Sequence, residues 1–178
     1  MSEVGTIGFW RDPLGRPGPD NMAVDSWLLE REEAPILRVY DWRGEWASLG
    51  YFGTVAQARA TMPGVSLVRR ATGGGLVDHR HDRTYTLVLP GGCELAGRRG
   101  GESYRVIHSA LAEALGEAGM EVRLIEEDAP VESPTCFEKP VAWDLVEGRG
   151  RKVAGAGQRR TRKGLLHQGS VMIEEGVD

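Results

Sequence analysis

The sequence has 178 residues, of which 40% are apolar and 27% are charged, and its formal net charge is −4. This length is typical of one domain, the acidic balance gives no global support for nucleic-acid binding, and no apolar run is long enough for a membrane span. The N-terminus lacks the regions of a secretory signal, and two cysteines do not form a disulfide framework. We therefore expect a cytoplasmic protein with no nucleic-acid or membrane partner.

Helix and strand signals alternate irregularly along the first half of the chain. Asp20 or Asn21 can cap a helix that continues to about Arg31. β-Branched and aromatic residues predict strands at 36–40, 46–52 and 84–89. The stretch 68–89 therefore predicts a strand, a turn at three consecutive glycines and a second strand.

The second half contains the clearest helix of the sequence. Apolar residues recur at helical spacing over 103–118, and Gly119 follows where a helix-ending glycine is common. Residues 91–101 are predicted as a loop, and β-rich segments lie at 122–124, 143–146, 152–154 and 165–173. This unequal mixture predicts an α+β fold with a mixed β-sheet flanked by helices.

Three consecutive glycines, Gly73, Gly74 and Gly75, give the strongest local signal for a ligand site. A loop without side chains lets backbone N–H groups approach a ligand closely. Arg69 and Arg70 precede it and supply charge suited to a phosphate or a carboxylate. No Lys-Ser/Thr pair and no helix follows, which excludes a P-loop and a dinucleotide fingerprint. The alternative is a glycine-rich hairpin tip with solvated arginines.

Two residues could supply a nucleophile or a fixed positive charge. Cys136 lies in a proline-containing loop, where nearby basic groups could activate its thiol; the alternative is a half-buried structural thiol. Cys93 is a weaker candidate because acidic Glu94 beside it disfavours a thiolate. Lys152 begins a segment of small residues and could direct its ammonium into a pocket. The alternative for Lys152 is one more solvated lysine in an exposed basic turn.

The histidines and two aspartates are candidates for proton transfer and for orienting other groups. His79 lies near the glycines and could act as an acid or base. His79 and His81 would share a face on a strand, but no third ligand at useful spacing is evident, so no metal site is predicted. His167 could equally be a catalyst or a hydrogen-bonded sheet residue. Asp82 and Asp144 are candidate orienting partners.

Several motifs resemble the signatures of the lipoate-protein ligase and octanoyltransferase family, which shares its catalytic fold with biotin protein ligases. Residues 69–79, RRATGGGLVDH, are similar to the family's RR-x-[ST]-GG-x-x-V-x-H signature. Its second and third signatures resemble RKVAGAGQR at 151–159 and LLHQGS at 165–170. Its opening helix and second strand resemble residues 21–25 and 48–52. The five motifs occur in the family's order and cover nearly the whole chain.

The resemblance implies a mixed sheet flanked by helices and a tunnel for an octanoyl or lipoyl group beside the glycines. It implies substrate-binding roles for residues of the three signatures: Arg70, Thr72, Gly73, Gly74, Gly75, His79, Gly155, Ala156 and His167. Members of the family attach the acyl group to one lysine of a small carrier domain. The implied partners are acyl carrier protein or the glycine cleavage H protein, and the lipoyl domains of 2-oxoacid dehydrogenases.

Residues 136–146, CFEKPVAWDLV, resemble the branch of octanoyltransferases that uses a cysteine nucleophile. On this hypothesis Cys136 and Lys152 are catalytic: Cys136 carries the acyl group as a thioester, Lys152 assists at the carbonyl, and no cofactor is needed. The alternative is a lipoate- or octanoate-protein ligase, in which ATP and Mg²⁺ form an acyl-adenylate held by Arg70 and the glycines. Gly157 departs from the alanine that is usual in the second signature, so a binding module without turnover is a third hypothesis.

The resemblance also sets expectations for the extent of the domain. It implies a single catalytic domain over residues 1–178, without an accessory domain, whose chain could continue beyond residue 178. A biotin ligase is disfavoured because the R-G-R-G-R-x-G loop of that family is absent from the sequence.

Overall fold

The structure, a computed structural model, describes residues 5–98, 101–126 and 141–173. The helices in these ranges are α1 (Gly18–Arg31), α2 (Val55–Thr61), α3 (Glu94–Gly97) and α4 (Glu102–Glu117). The strands are β1 (Gly8–Arg11), β2 (Ile36–Tyr40), β3 (Trp46–Leu49), β4 (Ser66–Arg69), β5 (Leu76–Asp78), β6 (Asp82–Pro90), β7 (Val122–Leu124), β8 (Leu145–Glu147), β9 (Lys152–Arg160) and β10 (Gly164–Met172). None of the described helices is long and apolar enough to cross a membrane.

The strands form two mixed sheets. The larger sheet has the order β1-β2-β6-β10-β9-β8-β7, in which β1 and β2 are parallel and the other neighbours are antiparallel. The smaller sheet has the order β4-β3-β5, with β4 parallel and β5 antiparallel to β3. Helices flank the larger sheet, so the predicted α+β class is confirmed.

The larger sheet is buried on both faces around the paired strands β6 and β10. β6 and β10 are antiparallel from Asp82 with Met172 to Pro90 with Gly164. Because side chains alternate along a strand, one face carries Val88 and the other carries its neighbours. On the face that packs against α1, the α1 face, the core contains Leu28, Leu29, Val88 and Leu166. On the opposite side, the α4 face, it contains Leu87, Leu89, Leu95, Ala96, Ile107 and Leu165.

The helix predicted at 103–118 is α4, displaced by one residue at each end. Its apolar stripe continues from Ile107 to Leu111 and Leu115, which pack against a cluster formed by β8 and β9. Gly119 adopts a φ of +88°, and the N–H of the following Met120 donates to the carbonyl of Leu115 over 2.9 Å. The prediction that Gly119 ends the helix in the left-handed conformation is therefore confirmed.

The glycine stretch is not a hairpin tip. β4 and β5 flank β3 on opposite sides, so the intervening loop passes over the end of β3 instead of connecting two paired strands. We name residues 70–75 the glycine loop. A sequence pattern predicts that a segment is extended but not which strand it pairs with. The second strand predicted for this stretch, at 84–89, is β6 of the larger sheet, whereas β5 follows the glycines directly.

Other differences from the prediction concern short or unusual segments. β1, β5, α2 and α3 were not predicted, and α3 lies inside the segment predicted as a loop. β9 is nine residues long although only 152–154 was predicted, because glycine and alanine within it weaken the strand signal. Arg159 and Arg160 therefore belong to this strand and not to an exposed turn.

Candidate functional site

A small cavity of about 50 Å³ opens on the α1 face, between the larger sheet, the smaller sheet and α1. Predicted site residues on its wall are Arg70, Gly74, His79, Lys152, Gly155 and Ala156. Other residues on its wall that were not predicted include Met22, Trp42, Ser48, Thr84, Gln168 and Ser170. Residues of all three family-like signatures thus meet at one cavity although they are far apart in the sequence.

Arg70 shapes the glycine loop. Its guanidinium donates to the carbonyl of Gly73 from Nε (3.3 Å) and Nη2 (2.9 Å), and to the carbonyl of Gly75 from Nη2 (2.9 Å). Its Nη1 donates to the carbonyl (2.8 Å) and the hydroxyl (3.1 Å) of Ser48. All three nitrogens are therefore engaged inside the protein, whereas the sequence suggested that they would bind a phosphate or carboxylate. The positive charge still lies beside the cavity.

Two glycines outside the glycine loop let it pack against both sheets. A Cβ on Gly50 would lie 1.9 Å from the carbonyl oxygen of Gly74, and a Cβ on Gly157 would lie 2.6 Å from that of Gly73. Within the loop, Gly74 has a φ of +95°, which disfavours any other residue. Gly73 has no positive φ, and a Cβ added to it would meet no described atom within 4 Å. The three consecutive glycines therefore do not share one structural reason.

The loop is also tied to a buried polar cluster beneath the cavity. The hydroxyl of Thr72 donates to Oε1 of Gln168 over 2.9 Å, and Nε2 of Gln168 donates to Asp25 over 2.7 Å. Asp25 forms an ion pair with fully buried Arg38 over 2.7 Å, and Arg38 also pairs with Asp12 over 2.8 Å. Because each of these buried groups has a partner, the cluster fixes α1, β2 and the glycine loop relative to one another.

Lys152 is buried beside the cavity and forms an ion pair with Asp144. The distance from its Nζ to Oδ2 of Asp144 is 2.8 Å, and 6% of its side-chain surface is exposed. Both side chains pack directly over Gly155, which has no side chain to block them. A Cβ at this position would lie 2.5 Å from Nζ of Lys152 and 2.9 Å from Oδ1 of Asp144. The alternative of a solvated lysine is therefore wrong, and Asp144 is placed as an orienting partner. A catalytic role for Lys152 stays a prediction.

His79 lies on the opposite wall in a chain of hydrogen bonds. Its Nδ1 is 2.7 Å from Oδ2 of Asp82, and a carboxylate only accepts, so this nitrogen carries the proton. Its Nε2 lies 2.7 Å from the hydroxyl oxygen of Ser48, and the ring stacks on Trp42 at a centroid distance of 4.1 Å. Asp82 is thus placed to orient His79. His81 is exposed in the adjoining turn, so the expected shared strand face is not formed.

The residues that sequence reasoning missed follow the alternation of the central strands. Gln168 and Ser170 alternate along β10, and Thr84 lies opposite Ser170 on β6. Two polar residues at i and i+2 of a largely apolar strand were a usable signal for a polar site on one face. Met22, Trp42 and Ser48 gave no such signal, since they reach the cavity from α1, a loop and the smaller sheet.

This geometry can be compared with that of known proteins. The family described as "Lipoyl protein ligase A/B catalytic domain" matches residues 17–177. The chain belongs to this family. The match includes the glycine loop, Lys152 and the strands around the cavity, so the resemblance inferred from the motifs is confirmed.

The relatives include proteins named octanoyltransferase. The chain is 35% identical over 190 residues to octanoyltransferase LipM of Symbiobacterium thermophilum, covering 94% of this chain and 66% of that protein. It is 32% identical to octanoyltransferase LipM of Staphylococcus aureus, covering 89% of this chain and 63% of that protein. The chain thus spans just under two thirds of the length of these curated relatives.

Solved structures share the same fold. Protein Ta0514 of T. acidophilum, with bound lipoic acid, superposes with a TM-score of 0.71 at 21% identity, covering 97% of this chain and 68% of that chain. Lipoate-protein ligase A bound with ATP superposes with a TM-score of 0.69 at 22% identity, covering 98% of this chain and 68% of that chain. At these identities the likeness establishes the lipoyl protein ligase fold.

His167, from the third family-like signature, is fully buried on the α4 face and does not line the cavity. Its Nδ1 accepts from Gln158 over 2.9 Å and its Nε2 is 3.1 Å from the hydroxyl of Tyr85, so it is a hydrogen-bonded sheet residue. Cys136 lies outside the described residues. Cys93 precedes α3, next to the core of the α4 face.

Proposed function

We propose that the protein transfers an octanoyl or lipoyl group to a specific lysine of a lipoyl carrier domain, through an acyl-thioester on Cys136. The observation that carries this proposal is the identity of about a third to relatives named octanoyltransferase, over nearly the whole chain. The cavity beside Lys152 and the glycine loop supports it, because both lie in family-like signatures and face one another.

The proposed reaction has two steps. The Cys136 thiolate attacks the thioester carbonyl of the donor, and the carrier thiolate leaves and takes up a proton, so the acyl group becomes a thioester of the enzyme. The neutral amine of the acceptor lysine then attacks this thioester, loses a proton and expels the Cys136 thiolate. The product is an amide, and aminolysis of a thioester runs downhill.

We assign the support of the acyl carbonyl to Lys152. Its ammonium lines the cavity, is held by Asp144 and could stabilise the oxyanion that develops during each attack. His79 is a second candidate for proton transfer, through the nitrogen that faces Ser48. The cavity of about 50 Å³ is too small for a whole eight-carbon chain, so the side chains on its wall must move apart when the acyl chain binds.

The engagement of Arg70 favours a thioester donor over an adenylate. A ligase would need donors for the phosphate of the acyl-adenylate, and every nitrogen of Arg70 already donates to the glycine loop or to Ser48. The proposed transferase therefore requires neither ATP nor Mg²⁺. Its donor would be acyl carrier protein or the glycine cleavage H protein, and its acceptors the lipoyl domains of 2-oxoacid dehydrogenases.

Intact mass measurement after incubation with an octanoylated carrier protein tests the proposal. Wild type and Cys93→Ser should both gain one octanoyl group that hydroxylamine removes, and Cys136→Ser should gain none. Addition of a lipoyl domain should then move the group to the domain. An adduct that persists in Cys136→Ser would place the nucleophile elsewhere, and lipoate-dependent exchange between ATP and pyrophosphate would identify a ligase instead.

A further inference from the structure

Tyr104 of α4 takes the place of a strand at the edge of β9. The pairing of β8 with β9 reaches only as far as Leu145 opposite Ala154. The N–H of Ala156, two residues further along β9, therefore has no partner on this side among the described strands. The N–H of Ala156 donates instead to the Tyr104 hydroxyl over 2.7 Å. A side chain from the α4 face thus reaches between the strands toward the cavity on the other face.

The same hydroxyl holds the carboxylate that pairs with Lys152. Tyr104 donates to Oδ1 of Asp144 over 2.6 Å, while Oδ2 of Asp144 accepts from Lys152 over 2.8 Å and from the N–H of Val141 over 2.8 Å. Each carboxylate oxygen therefore has a fixed partner, and Asp144 cannot rotate without breaking one of them. Burial, reinforced by the charge of Asp144, raises the pKa of Tyr104, which keeps the hydroxyl protonated as a donor.

The backbone of this turn is fixed from the α4 face as well. Trp143, next to Asp144, has a φ of +72°, which is unusual for a residue other than glycine. Nδ1 of His108 lies 2.7 Å from the carbonyl oxygen of Trp143 and must donate to it, and the ring of His108 lies 4.2 Å from the ring of Tyr104. Asp144 is thus held through its main chain and through its side chain by one turn of α4.

We propose that Tyr104 is a positioning residue that fixes the Lys152 ammonium at the cavity by holding Asp144. The proposal rests on the proposed function in assigning Lys152 to acyl transfer. Tyr104 touches neither the substrate nor the reacting atoms. Its contribution is to keep the ion pair in the single arrangement that crosses Gly155, where Nζ faces the cavity.

Tyr104→Phe tests this role, and Tyr85→Phe is a matched control. Tyr85 is also a buried tyrosine on the α4 face, and its hydroxyl bonds to His167 and His108 but not to Asp144. Tyr104→Phe should lower kcat for transfer to a lipoyl domain about 10- to 100-fold while KM for the domain changes less than about twofold. Tyr85→Phe should lower kcat by less than about threefold, because its hydroxyl reaches the Asp144 turn only through the ring of His108. Incorporation of 4-aminophenylalanine at position 104, which restores a donor, should recover most of kcat.

A second measurement does not depend on transfer activity. Acetylation of Lys152 by an N-hydroxysuccinimide ester, followed by peptide mass mapping, should be about tenfold faster in Tyr104→Phe than in wild type or Tyr85→Phe. The ester reacts with the neutral amine, and the lysine leaves the ion pair and loses its proton more often when Asp144 is no longer fixed. Equal acetylation rates in all three proteins would overturn the positioning role. Equal losses of kcat in the two variants would reduce Tyr104 to a structural residue. An altered acetylation rate without any transfer by wild type would overturn the proposed function alone.

Discussion

The backbone of Gly73 packs directly against that of Gly157, so that a Cβ on Gly157 would lie 2.6 Å from the Gly73 carbonyl oxygen. Such a contact involves backbone on one side and cannot be relieved by a rotamer change. We expect Gly157→Ala to push the glycine loop off β9 and to lower the free energy of unfolding by about 1–3 kcal/mol. Urea denaturation measures this loss.

Gly92→Ala is the matched control for this substitution. A Cβ on Gly92 would meet no described atom within 4 Å, and its φ is not positive, so we expect little change in stability. If Gly157→Ala were as stable as Gly92→Ala, the glycine loop could move away from β9 at no cost, and the close approach of Gly73 to Gly157 would not contribute to stability. The departure from the family's usual alanine would then be neutral.

Substitution of the two neighbouring arginines by lysine should separate two kinds of contact. Arg70 uses three nitrogens in different directions, which one ammonium cannot reproduce, whereas a single nitrogen of Arg69 lies within 3.1 Å of three carbonyl oxygens. Arg70→Lys should therefore lower the free energy of unfolding by about 1–3 kcal/mol, and Arg69→Lys by much less. Chemical denaturation of both variants compares them, and equal losses would contradict this assignment.

The sequence predicted some residues of the candidate site but not others. The glycine loop and Lys152 were identifiable because both lie in segments that resemble family signatures, although each also had a structural alternative. Their meeting was not predictable from local patterns, since it depends on how β3 separates β4 from β5 and on the position of β9 in the larger sheet.

The function of Arg70 was the least predictable feature. An arginine beside a glycine loop suggests an anion site from its charge alone. Its actual partners are the carbonyls of Gly73 and Gly75, which the glycine loop turns back toward it, and the carbonyl and hydroxyl of Ser48 on β3. For His167 the sequence did not decide the face of the sheet. Its apolar neighbours Leu165 and Leu166 lie on opposite faces, so the apolar pattern did not place His167 on the α4 face.

Gly155→Ala should disrupt the ion pair between Lys152 and Asp144. The new Cβ would lie 2.4 Å from Cε of Lys152, so the lysine side chain must leave its path across the strand. We expect transfer to fall about 100-fold, because a misplacement of about 1 Å has this effect on positioned groups. Steady-state transfer kinetics would show the loss. Gly148→Ala, whose new Cβ would meet no described atom within 4 Å, should retain activity, and an unimpaired Gly155→Ala would exclude Lys152 from the reaction.

Two buried histidines should make stability depend on pH below neutrality. Burial lowers the pKa of His108 to about 4, and burial next to His108 lowers the pKa of His167 well below its ordinary value. As the pH falls, these histidines take up protons near pH 6.5 in the unfolded chain but only at a lower pH in the folded protein. The free energy of unfolding should therefore have its full value above pH 6.5 and decrease as the pH falls toward 4.

The contribution of His108 can be isolated by the slope of this decrease. Each pKa unit corresponds to about 1.4 kcal/mol, so His108 alone should account for roughly 3 kcal/mol of the loss between pH 7 and pH 4. His108→Gln should lower stability at pH 7, since the buried contacts change, but its stability should fall less steeply with pH. Parallel curves for His108→Gln and wild type, from urea denaturation at each pH, would mean that His108 titrates normally and is not held neutral against Trp143.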